Sequence, residues 1–67
     1  MTITLNGQFH ALSTPTATIA DLLQSLGLAG KPVVVEHNLQ ALLPRELAST
    51  SLAEGDRIEI VQITAGG

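Results

Sequence analysis

Polar and apolar residues alternate through Met1-Thr2-Ile3-Thr4-Leu5, the two-residue period of a strand with one buried face. Asn6-Gly7 follows, and both residues tolerate the left-handed backbone of a two-residue hairpin turn. Residues 8–12 are therefore expected to return antiparallel, with Leu5 facing Gln8, Thr4 facing Phe9, Ile3 facing His10 and Met1 facing Leu12. That register puts Met1, Ile3, Leu5 and Leu12 on one side and Phe9 on the other. After a connector at 13–17 the period changes. Thr18 is placed to cap a helix, with Asp21 three residues on completing a capping box at the positive helix end. Ile19, Leu22, Leu23 and Leu26 form a one-sided apolar stripe. Gly27 stands where a left-handed end belongs, with Leu28 placed for the hydrophobic contact that accompanies it.

Pro32 opens a second strand region through Val33, Val34, Val35, Glu36 and His37, and Asn38 is a turn residue. Leu39 to Leu43 is expected as a short strand closed by Pro44. Residues 45–53 read as irregular or as one helical turn, with Leu47 and Leu52 directed inward. Glu54-Gly55-Asp56 is a tight turn before a last strand over Arg57 to Ile63, with Ile58 and Ile60 inward. The order is strand, strand, helix, strand, short strand, strand, tail. One mixed sheet with a helix on one face accommodates it, an arrangement that resembles the β-grasp, or ubiquitin-like, α+β fold. The resemblance supplies the strand order, with the last strand central beside the first. The expected division is a domain over 1–63 and a flexible tail over 64–67.

At 67 residues the chain has room for one core, and its 45% hydrophobic content suits a globular fold. The core must be aliphatic, since Phe9 is the only aromatic residue. There is no cysteine, which suits a reducing, cytoplasmic setting and leaves no side chain able to hold sulfur. The N-terminus lacks a basic region followed by a long apolar run, and no stretch reaches the length of a membrane span. A net charge of −3, with Lys31, Arg45 and Arg57 as the only cations, argues against nucleic acid and favours a basic protein partner. His10 and His37 stand on separate elements without ligand spacing and read as surface histidines, so no metal site is expected. No catalytic triad, carboxylate pair or phosphate loop is present, and the chain reads as no enzyme.

Two features point elsewhere. Alternation turns Phe9, Val34, Val61 and Ile63 away from the helix, where a one-sided sheet usually carries polar residues. Phe9, Val61 and Ile63 are thus candidates for a partner-docking surface; the alternative is that Val61 and Ile63 pack under residues 39–53. Arg45 and Arg57 either steer an acidic partner edge or are simply solvated. The second feature is the end, Ala65-Gly66-Gly67. Residues without side chains can lie extended in a narrow channel, and 64–67 span roughly 14 Å when extended. Gly67 would present its α-carboxylate as the reacting group, while Gly66 and Ala65 give it access. A carboxylate is a poor acyl donor until ATP converts it to an acyl-adenylate, and an attacking sulfur then leaves a thiocarboxylate.

The Asn6-Gly7 hairpin, the helix from Thr18 to Leu26, the Asn38 turn, Leu43-Pro44-Arg45, Glu54-Gly55-Asp56-Arg57-Ile58-Glu59-Ile60 and Gly66-Gly67 occur in this order over nearly the whole chain. Together they resemble the ThiS family of sulfur carriers in thiamine thiazole synthesis. Leu47 and Ala48 stand where that family usually has an aromatic residue after Pro-Arg. The resemblance implies a cycle in which Gly67 is adenylated by an adenylyltransferase related to ubiquitin-activating enzymes, using ATP and magnesium. A cysteine desulfurase or other persulfide donor supplies sulfur, and thiazole synthase consumes it. The chain itself binds no cofactor. Two alternatives share the tail: a molybdopterin-synthase small subunit with the same chemistry, and a ubiquitin-like modifier that joins Gly67 to a lysine.

Overall fold

The computed structural model describes residues 1–12 and 16–64. Strands β1 (Thr2–Leu5) and β2 (Gln8–Ala11) precede helix α1 (Ile19–Ser25); β3 (Val33–His37), β4 (Gln40–Ala41), a 3₁₀ turn at Pro44–Glu46 and β5 (Arg57–Gln62) follow. The five strands form one sheet in the order β2-β1-β5-β3-β4. Only β1 and β5 run parallel; every other pair is antiparallel. The last strand thus lies beside the first at the sheet centre, as the β-grasp resemblance requires.

The first hairpin has the expected register, Ile3 opposite His10, Thr4 opposite Phe9 and Leu5 opposite Gln8. Asn6 and Gly7 take φ of +50° and +81° at its turn. Met1 departs from the expectation: it is exposed, while Ile3 is buried and Leu5 and Leu12 pack against the core. Its place before the first residue of β1 leaves it beyond the edge of the packed layer.

Helix α1 is fixed at both ends by local chemistry. Thr18 Oγ1 accepts from the Asp21 N–H at 3.2 Å, and Asp21 Oδ2 accepts from the Thr18 N–H at 3.1 Å. Two further N-terminal donors reach across the fold, Ile19 N–H to the Thr50 carbonyl and Ala20 N–H to that of Leu47. At the other end Gly27, at φ +75°, donates to Gln24, and Leu28 donates to Leu23 at 2.8 Å. These two bonds make a Schellman ending. The stripe then buries Ile19, Leu22 and Leu23 against Ile3, Val35, Ile58 and Ile60 of the sheet. Leu52 closes the core, and Leu47 packs on its margin.

The expected strand over Leu39 to Leu43 is shorter than its pattern suggested. Asn38 and Leu39 form the turn, at φ +51° and +72°, and only Gln40–Ala41 is strand. A two-residue hairpin needs two left-handed positions, and Leu39 is the second. The last strand likewise ends at Gln62 instead of Ile63.

Candidate functional site

The reacting group anticipated at Gly67, with Gly66 and Ala65, lies outside the described residues, as does the connector at 13–15. The structure describes the platform from which that tail departs. Val61, Gln62, Ile63 and Thr64 are all exposed. Beneath them Ile58 and Ile60 are buried, so β5 is anchored up to Ile60 and free of packing beyond it.

On the β1 side, Asn6 ends the backbone pairing of β5. Its Oδ1 accepts from the Ile60 N–H at 2.7 Å, and its Nδ2 donates to the Ile60 carbonyl at 3.2 Å. The side chain therefore imitates one further residue of a neighbouring strand, just where β1 has turned away. Sequence reasoning assigned Asn6 to the turn alone; nothing in the local pattern marks a partner 54 positions distant.

All four outward apolar residues are where alternation put them. Phe9 is 88% exposed, Val61 61%, Ile63 53% and Val34 45%. They do not form one patch. Val34 lies directly opposite Val61, and Ile63 follows on the same strand. Phe9 stands in the row of Thr4 and Arg57 at the opposite end of β5. At strand spacings that is about 13 Å along and about 10 Å across from Val61. Glu59, with Glu36 opposite it, lies between Arg57 and Val61. Arg57 Nη2 sits 3.4 Å from Glu59, a contact between exposed groups. Like charges directly opposed on a sheet are unfavourable by themselves, and they give this face a negative centre beside the apolar pair.

Residues 42–47 do not cover Val61. Leu42 N–H bonds the Val35 carbonyl of β3 at 2.9 Å, and an open apolar groove of about 460 Å³ has Lys31, Pro32, Val34, Leu42, Pro44 and Ile63 along it. Ile63 forms part of its wall and remains half open to solvent. Arg45 is exposed on the 3₁₀ turn.

His37 has partners other than a metal. His37 Nε2 lies 2.8 Å from Asp56 Oδ2, and Asn38 Nδ2 donates to Asp56 Oδ1 at 3.1 Å. Ala53 N–H also donates to Asp56. Burial alone pushes the Asp56 carboxyl up, but these hydrogen bonds together hold it below its ordinary value. The cluster ties the β3–β4 turn to the start of β5, at the end remote from the tail. Among the described residues no three His, Cys, Asp or Glu side chains converge as a metal site, and no helix is long and apolar enough to cross a membrane.

Comparison with known proteins completes this geometry. The ThiS family pattern matches residues 3–67. The sulfur carrier protein ThiS of Bacillus subtilis is 38% identical over 63 residues, covering 94% of this chain and 96% of that one. A thiazole synthase of Paramagnetospirillum magneticum is 33% identical over all 67 residues, and the chain spans one fifth (20%) of that protein's length. The crystal structure of the thiamine biosynthesis protein ThiS from Geobacter metallireducens superposes with a TM-score of 0.84 at 28% identity, each chain covered in full. A solution structure of a thiamine biosynthesis protein from the same organism gives 0.83. The chain belongs to the ThiS family, the small β-grasp sulfur carriers of thiamine biosynthesis, and is a carrier rather than a catalyst.

Proposed function

We propose that the Gly67 carboxylate is the atom site at which this chain carries sulfur to the thiazole of thiamine. The observation that carries the proposal is the family match running through Gly67 itself, on a body whose last described residues, 61–64, stand exposed. The carboxylate attacks the α-phosphate of ATP and releases pyrophosphate, with magnesium and the catalytic groups supplied by an adenylyltransferase. A persulfide sulfur then attacks the acyl carbon and AMP leaves. Reductive cleavage of the resulting acyl disulfide by a thiol yields the thiocarboxylate and a disulfide. A thiazole synthase takes up that sulfur in exchange for one oxygen, from the carbonyl of the acceptor substrate or from water, which restores the carboxylate. The likeness to a segment of a thiazole synthase supports this last partner. The Val34–Val61 pair, Ile63 and the acidic Glu36–Glu59 centre suit a partner with an apolar patch flanked by cations.

The experiment is intact mass measurement after incubation with the adenylyltransferase, ATP, magnesium, a cysteine desulfurase, cysteine and a thiol reductant. One oxygen-for-sulfur exchange, localised to Gly67 by fragmentation, is the expected result. An unchanged mass, or Gly67 joined to a lysine of another protein, overturns the proposal.

A further inference from the structure

The two sides of β5 are unequally covered. On the β3 side the ladder runs its full length, Val33 to His37 facing Gln62 to Ile58. It is extended by bonds from Asn38 N–H to the Arg57 carbonyl and from Ile63 N–H to the Pro32 carbonyl, at 2.7 and 2.9 Å. Antiparallel bonding alternates along a strand, so these two bonds assign residues 57, 59, 61 and 63 to the β3 side. Residues 58, 60 and 62 turn their N–H and C=O groups toward β1. There the cover is short. Thr4 and Leu5 lie beside Arg57 and Ile58, Asn6 N–H donates to the Ile58 carbonyl, and the Asn6 side chain takes both groups of Ile60. The hairpin then turns away through Gly7. The backbone N–H and C=O of Gln62, and of Thr64 two residues on, meet no partner among the described residues, and both residues are exposed.

We propose that this half-strand edge is a site of β-augmentation: an extended segment of the adenylyltransferase that receives the tail pairs with Gln62 and Thr64 on the side β1 leaves open. The inference deepens the reading of Gly67 as the reacting carboxylate and rests on it. Reach supports it first. Three residues beyond Thr64 span about 10 Å when extended, so an enzyme acting on the Gly67 carboxylate has its wall within that distance of Thr64. Chemistry supports it second. Ala65-Gly66-Gly67 offers a single methyl group to side-chain recognition, so a partner reads this segment through backbone donors and acceptors, as strand addition does. Gln62 supplies the first open rung of such a ladder, immediately past the rung that Asn6 closes.

Proline separates the two sides of the strand. At position 63 it would remove the bond to Pro32, whereas at 62 or 64 it removes an N–H that bonds nothing among the described residues. Gln62→Pro and Thr64→Pro are therefore the test variants, with Gln62→Ala as the side-chain control. Calorimetric binding to the adenylyltransferase is expected to weaken roughly ten-fold in each proline variant, the loss of about one interface hydrogen bond. Gln62→Ala is expected to bind like the unaltered chain, and Thr64→Pro, lying beyond the strand, to keep its melting temperature. Hydrogen exchange reads the same rung without substitution. The Gln62 and Thr64 amides exchange fast in the free protein and slow on saturation with the enzyme, while Ile63 is protected in both. Unaltered binding by both proline variants, or amides that stay fast in the complex, overturns the edge and leaves the thiocarboxylate reading standing. Unsubstituted protein that neither binds nor gains sulfur removes both. Slowing of these amides when the free protein is merely concentrated assigns the edge to a second copy of this chain, and also overturns the proposal.

Discussion

Leu39 holds φ at +72° with 69% of its surface in solvent, so it bears left-handed strain without a compensating burial. A β-carbon in that region costs about 1–2 kcal/mol, against the extra chain entropy glycine brings to the unfolded state. Leu39→Gly is therefore expected to raise stability by about 0.5–1 kcal/mol, read as a higher urea midpoint with an unchanged slope. Asn38, in the same turn, is held by its neighbours: its Oδ1 accepts from the Arg57 N–H at 2.8 Å and its Nδ2 reaches Asp56. Asp56 also sets a pH dependence. Its carboxyl lies below the ordinary value because the bonds from His37, Asn38 and Ala53 outweigh the upward push of burial. A carboxyl with a depressed folded value stabilises fully above its unfolded value and loses that contribution as pH falls through the folded one. Unfolding free energy should thus decline below about pH 4, and Asp56→Asn should flatten that decline while costing stability near neutrality. An equal acid slope in both proteins would remove Asp56 as its source.

Among the elements, α1 was the most legible, because its signals are local. Thr18 and Asp21 cap each other within three residues, the apolar stripe repeats within two turns, and Gly27 ends the helix beside its own carbonyls. The first hairpin was equally readable from Asn6-Gly7. What pattern reading could not reach were relations between distant segments: the shortening of β4 by a strained Leu39, and the second role of Asn6 as a rung against Ile60. The outward residues show the same limit. Alternation assigned Phe9, Val61 and Ile63 to one face, but only the register of β2, β1 and β5 separates Phe9 from the other two. Phe9→Asp is therefore expected to leave the melting temperature nearly unchanged, as befits a fully solvated side chain. In a paired measurement, Val61→Asp should weaken binding to the adenylyltransferase more than Phe9→Asp does. A melting temperature sharply lowered by Phe9→Asp would show that Phe9 takes part in packing.

At the scale of the whole molecule, eight buried aliphatic residues among those described carry the core: Ile3, Ile19, Leu22, Leu23, Val35, Leu52, Ile58 and Ile60. A domain of this size holds on the order of 5 kcal/mol, which leaves little reserve for reshaping its centre. On the proposal that Gly67 is the reacting position, the chemistry asks nothing of the packed interior. Gly67→Ala should accordingly leave thermal unfolding unchanged and lower the initial rate of thiocarboxylate formation, because a methyl group beside the acyl carbon crowds the approach of nucleophile and enzyme. An unimpaired rate would show that the enzyme's channel tolerates a side chain at that position.

The parallel pairing of β1 with β5 has a mechanical consequence. A partner that draws on the tail pulls β5 along its own axis, between β1 with its Asn6 rung on one flank and the longer β3 ladder on the other. The cross-links on both flanks then share the load in shear instead of unzipping singly from an end.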